Sequence, residues 1–130
     1  MNIETKKVAV YGSLRQNLHN HGVLGGAKLL GTFNSKPEYS LYALGGFPGL
    51  KPKGKTSVVM EVYEVNEQQA RNVDALEGYR EGGNNTFYDK LPIETPFGEA
   101  GVYVYVPDVR PDRLVKSGDW LEYVNNNKRY

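Results

Sequence analysis

The sequence predicts an α+β fold made mostly of short strands, and three observations carry that prediction. Gly (15) and Tyr (10) are abundant, which suits tight turns and an aromatic-lined interior. Residues 57–65 (SVVMEVYEV) alternate with the two-residue period of a strand. Residues 66–76 carry the 3.6-residue period of one helix between strand patterns. A length of 130 residues fits one domain, residues 1–130, with enough chain to bury a core.

The elements follow in order. Val8-Ala9-Val10 opens a short buried strand over residues 8–11, and Tyr11-Gly12-Ser13-Leu14-Arg15 turns sharply after it. Gly12 permits backbone angles closed to other residues, and such a turn can aim several backbone N–H groups at one anion. Residues 20–24 read as a helical turn capped by Asn20. Residues 27–33 and 39–43 read as strands bent apart at Pro37, and 45–55 as a Gly, Pro and Lys loop.

In the strand over 57–65, Val58, Met60, Val62 and Glu64 share one face. Val59, Glu61, Tyr63 and Val65 share the other, which sets Glu61 among apolar neighbours. For the helix, Asn66 is a cap with Gln69 completing a capping box, Ala70, Val73, Leu76 and Glu77 follow at helical spacing, and Gly78 ends it. Residues 81–86 (EGGNNT) form a loop. Residues 87–94 and 100–106 pair as a hairpin around Thr95-Pro96-Phe97-Gly98, with Tyr103 and Tyr105 on one face. Gly118-Asp119-Trp120-Leu121-Glu122-Tyr123 has enough apolar surface to dock back on the domain, and 125–130 reads as a frayed tail.

Composition narrows the function classes. A net charge of +1 gives no reason to expect nucleic acid or an anionic membrane as partner. The absence of cysteine removes disulfides, thiolate nucleophiles and sulfur-ligated metals, and fits a reducing, cytoplasmic setting. Met1-Asn2-Ile3-Glu4 carries no secretory signal pattern. No run approaches the roughly 20 apolar residues that span a bilayer, so no glycan is expected at the Asn84-Asn85-Thr86 sequon.

Six candidates for chemistry compete. Residues 49–56 match G-x-x-x-x-G-K-[ST], a phosphate-cradling pattern that needs a helix after it; a strand pattern follows instead, which favours a solvated basic loop. His19 and His21 make a poor metal set and read better as capping or packing residues. Ser13 lacks the second Gly of a nucleophile elbow. Glu61 reads as the partner of an Arg or a backbone donor. Glu77 is the best catalytic candidate: it sits beside the apolar stripe, at the helix end where the dipole opposes a negative charge, so its pKa should be raised. Tyr88, Tyr103 and Tyr105 read as pocket-lining or as core residues with rim hydroxyls.

Taken in order, Tyr11-Gly12-Ser13-Leu14-Arg15, Tyr39-Ser40-Leu41-Tyr42, Phe47-Pro48-Gly49, Glu61-Val62-Tyr63-Glu64-Val65, Asp74-Ala75-Leu76-Glu77-Gly78-Tyr79 and Val102-Tyr103-Val104-Tyr105 resemble the γ-glutamylcyclotransferase family, including γ-glutamylamine cyclotransferases and AIG2-like proteins. The resemblance runs from about Val8 to about Tyr123. It implies a small mixed β-barrel flanked by short helices. It also implies that Tyr11, Gly12, Ser13 and Leu14 hold the α-carboxylate end of a γ-glutamyl group through backbone N–H groups. Glu77 would be the acid/base, with Tyr88 and Tyr103 at the substrate. The activity implied is closure of a γ-glutamyl amine, amino acid or peptide to 5-oxoproline, with no metal or cofactor. The binding partner would be a small molecule, and the chain would be a monomer or homodimer. Departures at Arg80–Thr86 and at Tyr88-Asp89-Lys90 lie on the leaving-group side. The alternative is an AIG2-like module that binds a small anion without chemistry.

Overall fold

The computed structural model describes residues 6–12, 14–15, 21–80 and 87–126. Its strands are β1 (Lys6–Val10), β2 (Lys28–Asn34), β3 (Tyr39–Ala43), β4 (Pro48–Thr56), β5 (Val59–Val65), β6 (Tyr88–Thr95) and β7 (Gly98–Tyr105). Helices α1 (Glu67–Glu77) and α2 (Trp120–Asn126) complete the α+β architecture. Five strands make one mixed sheet in the order β2-β5-β1-β7-β6, while β3 and β4 make a second, two-stranded sheet. The large sheet is not closed by hydrogen bonds; the β3–β4 ribbon packs against β7, which makes the whole barrel-like.

Alternation along the central strands feeds two cores. Ala9, Met60, Val62, Val102 and Val104 pack with Leu41, Leu50 and Trp120 on one face. Val8, Val10, Tyr63, Val65 and Tyr103 pack with Val73 of α1 on the other. Each fully buried Val or Leu contributes roughly 1.5–3 kcal/mol relative to exposure.

The signals that mark α1 act as the sequence implies. Gln69 N–H donates to Asn66 Oδ1 at 2.8 Å and Asn66 N–H donates to Gln69 Oε1 at 2.9 Å. Gly78 takes φ 67°; its N–H donates to the Ala75 carbonyl, and Tyr79 N–H donates to that of Asp74. That Schellman arrangement fixes the last turn and with it the direction of Glu77.

Two segments differ from expectation. Residues 45–55 are a loop only at their start. Strand β4 begins at Pro48 and pairs with β3 through Ala43↔Pro48, Tyr42↔Gly49 and Leu41↔Leu50. A two-stranded ribbon has an open edge on each strand, where Pro and Gly are tolerated. Its first three residues are buried, which overrides their turn-like composition. At the C-terminus, Asn125 and Asn126 belong to α2 rather than to a frayed tail, since buried Trp120 anchors that helix; residues 127–130 lie outside the described residues. The 20–24 turn is observed as a 3-10 helix over His21–Leu24. Its Asn20 cap and the 81–86 loop also fall outside them. No helix among the described residues is long and apolar enough to cross a membrane.

Candidate active site

The C-terminal ends of β1 and β7, the last turn of α1, and the starts of β4 and β6 converge on one cavity of about 670 Å³. That is within the roughly 300–1,000 Å³ typical of small-molecule sites. Tyr11, Gly12 and Leu14 line one side, and Glu77 lines the cavity with them. Tyr11, Gly12 and Leu14 therefore share one hollow with Glu77, more than sixty positions away in the chain. Tyr88 and Tyr103 line it as well, as does Tyr105. Ser13 and His19 lie outside the described residues.

Glu77 is the one acidic side chain in this lining among the described residues. Burial pushes its carboxyl up from 4.5 to about 7. The negative end of α1 acts with the same sign. A group that titrates near neutrality can both take and return a proton.

The tyrosines are placed differently. Tyr11 Oη donates to the Tyr103 carbonyl at 2.6 Å, Tyr88 Oη to the Pro48 carbonyl at 2.8 Å, and Tyr103 Oη to Asp74 Oδ1. Burial raises all three phenols, and the Glu77 charge adds to each. They stay protonated at neutral pH, and each proton is already committed. Toward a ligand these three hydroxyls offer lone pairs rather than protons.

Gly12 has a role other than the one its residue type suggests. It is absent from the positive-φ glycines, but a Cβ built on it would lie 2.7 Å from Pro48 Cγ. Close approach to the start of β4, not a special angle, requires glycine.

Arg15 closes the bend and ties it down. Its N–H donates to the Gly12 carbonyl at 3.0 Å. Its guanidinium meets Glu61 Oε2 at 3.1 Å and Asp119 Oδ1 at 2.7 Å, with its side chain 6% exposed. Tyr63 Oη completes the cluster by donating to Glu61 Oε1 at 2.8 Å. Burial alone would raise the Asp119 carboxyl, yet the Arg15 hydrogen bond and backbone donors hold it below its usual value. Of the two partners the sequence leaves open for Glu61, an Arg or a backbone donor, the structure shows an Arg. His21 lies with Nδ1 2.9 Å from the Leu14 carbonyl oxygen and its ring 5.7 Å from that of Tyr63, a packing role. No set of three His, Cys, Asp or Glu among the described residues could hold a metal.

The Gly49–Thr56 pattern lies within β4 and leads into β5, so no helix N-terminus faces it. Lys51 Nζ instead donates to the carbonyls of Tyr105, Val106 and Pro107 at 2.6–3.1 Å. Lys90, one of the divergent positions, pairs with Asp74 at 2.9 Å and lies over the Tyr79 and Tyr103 rings, away from the cavity lining. Phe47, Leu76 and Phe87 line the cavity without having been marked for it. The signal was weak: each directly precedes a marked or motif residue.

A family model described as gamma-glutamyl cyclotransferase, AIG2-like, matches residues 8–122. The chain belongs to that family. A Vibrio cholerae serotype O1 protein, provisionally named a gamma-glutamylcyclotransferase, is 44% identical over 117 residues, covering 90% of this chain and 96% of its own. The gamma-glutamylcyclotransferase family protein YtfP of Escherichia coli K12 is 40% identical over 116 residues, covering 89% of this chain and 96% of its own. Among solved structures, uncharacterized protein PH0828 of Pyrococcus horikoshii matches with TM-score 0.75 at 31% identity, over 95% of this chain and 99% of its own. The family fold is therefore shared along nearly the whole chain.

Proposed function

We propose that this protein is a γ-glutamyl cyclotransferase, a single domain that converts a γ-glutamyl amide to 5-oxoproline and a free amine without a cofactor. The observation that carries the reading is Glu77. A carboxyl titrating at about 7 shares a cavity with the bend at residues 11–14. Family membership and the names of its relatives support the reaction type.

In this mechanism the bend holds the substrate α-carboxylate through backbone N–H groups, including that of Ser13. The substrate α-ammonium then lies beside Glu77. Ionised Glu77 takes one ammonium proton, and the freed amine attacks the γ-carbonyl carbon. A C–N bond forms in the five-membered ring and the amide C–N bond breaks. Glu77 returns that proton to the departing nitrogen, and the second proton, left on the ring nitrogen after attack, passes through Glu77 to the released amine, which departs as an ammonium ion. No water is consumed.

Both reacting groups belong to one molecule, so the protein's main contribution is to hold the folded conformer. Such orientation is worth up to roughly 7–11 kcal/mol in favourable cases. Backbone donors would steady the oxyanion, because the hydroxyl protons of Tyr11, Tyr88 and Tyr103 are engaged elsewhere.

The test is release of 5-oxoproline from a panel of γ-glutamyl amides by the purified chain. Glu77→Gln should lower kcat by at least about a hundredfold, the usual scale for a lost acid/base. Binding of the panel with no lactam release by the unaltered chain would instead favour the binding-module alternative.

A further inference from the structure

We infer that Phe47, Leu76 and Phe87 form a subsite for the departing amine, and that the group carried by this amine's nitrogen is apolar and bears no charge of its own. The inference deepens the cyclotransferase reading and rests on it for the word "departing". Among the described residues five large hydrophobic side chains are exposed, and Phe47 (46%), Leu76 (41%) and Phe87 (62%) are three of them. All three line the Glu77 cavity; the other two, Leu29 and Val106, do not. Single exposed apolar residues are ordinary, but convergence on one cavity mouth marks a binding surface.

Each of the three directly precedes an inner-wall residue: Phe47 before Pro48, Leu76 before Glu77 and Phe87 before Tyr88. The rim is therefore built onto the wall. The Tyr88 hydroxyl donates to the Pro48 carbonyl at 2.8 Å, which ties the Phe47 and Phe87 segments together. The hydrogen-bonded turn after α1 holds Leu76.

Charge excludes the other amine classes. Among the described residues no Lys or Arg lines the cavity. Arg15, Lys51 and Lys90 hold other groups. An amino-acid leaving group would bring a carboxylate with no cation among the described lining residues to meet it, beside Glu77. A polyamine would bring a cation that holds Glu77 ionised and weakens it as a base. An apolar amine carries neither penalty and covers the rim.

The experiment compares kcat/KM for the γ-glutamyl amides of benzylamine and isoamylamine with those for γ-glutamylalanine, γ-glutamyllysine and γ-glutamylputrescine. Binding of the same five compounds to the Glu77→Gln protein gives a readout independent of turnover. The apolar amides should exceed the charged ones by at least about tenfold in both measurements, the scale that apolar pocket contacts supply. Phe87→Ser and Leu76→Ser, both exposed positions, should lower kcat/KM for the apolar amides about tenfold more than for γ-glutamylalanine, and an equal loss for both substrate kinds overturns the apolar subsite. Far-UV circular dichroism confirms that the variants fold.

Equal or reversed preference in the binding measurement overturns the subsite. Failure of all five to release 5-oxoproline overturns the cyclotransferase reading alone; the binding preference then still supports or overturns the apolar site. A dimer in light scattering that Phe87→Ser converts to monomer would show the rim to be an interface between copies, and would also overturn it.

Discussion

Glu77 holds a carboxylate where both burial and the end of a helix oppose its charge. Its carboxyl titrates at about 7 in the folded chain and near 4.5 when unfolded. Between those values the native state binds more protons, so stability falls as pH rises from about 4.5 through 7, and the penalty is complete above that. Glu77→Gln removes the titration. Its thermal midpoint should match the parent at pH 4 and exceed it at pH 8, by the equivalent of about 1–3 kcal/mol after allowing for partial contact with solvent. Scanning calorimetry across pH 4–8 reads this directly. In the parent, kcat/KM should rise with pH and level off above about 7, since the ionised form is the base. Gly12→Ala tests the neighbouring wall. Its new methyl meets the Pro48 ring, so ligand affinity should fall about tenfold or more with the thermal midpoint lowered only modestly. Titration of 5-oxoproline against both proteins checks it.

The capped helix and the basic strand show what a segment's own chemistry can reveal. Asn66, Gln69 and Gly78 mark α1 because each acts on backbone groups within a few residues. Gly78 has open space around it, so Gly78→Ala meets only the cost of a positive φ. About 1–2 kcal/mol should be lost, and Gly78→Asn should lose less; urea denaturation measures both. Strand β4 was hidden because its sequence, PGLKPKGKT, has turn composition and no alternation. Its partner β3, which directly precedes it, and the distant carbonyls that hold Lys51 supply the reason it is extended, and neither lies within its own sequence. Arg15 joins three elements at once: the 11–15 bend, β5 through Glu61, and the start of α2 through Asp119. Arg15→Ala takes the Arg15 guanidinium away from buried Glu61 and from Asp119, and should cost about 3–5 kcal/mol in the same urea experiment.

Across the whole molecule, the sheet order places β1 between β5 and β7, parallel to the latter. The C-terminal ends of β1 and β7 therefore point the same way, and Tyr11, Gly12 and Leu14 come to lie near Tyr103 and Tyr105. Helix α1 crosses one face of that sheet and ends at the same edge, which delivers Glu77. The β3–β4 ribbon closes the remaining side with Phe47 and Pro48. This arrangement leaves the Gly49–Thr56 pattern inside a strand, so ATP with magnesium should produce no thermal shift. A 5-oxoproline-type ligand should raise the midpoint in proportion to the logarithm of its concentration.

The sequence by itself determined the local features of this protein. Helix α1 and its two caps, the β6–β7 hairpin, the alternating faces of β5 and the family all follow from neighbouring residues and ordered motifs. Only the tertiary structure decided that Gly12 is required for space, that the tyrosine protons are already engaged, that residues 48–56 form a strand, and that Phe47, Leu76 and Phe87 meet at one mouth. Those outcomes depend on contacts between residues roughly ten to ninety positions apart. No local propensity encodes such a contact; it exists only once the mixed sheet has brought distant backbones together.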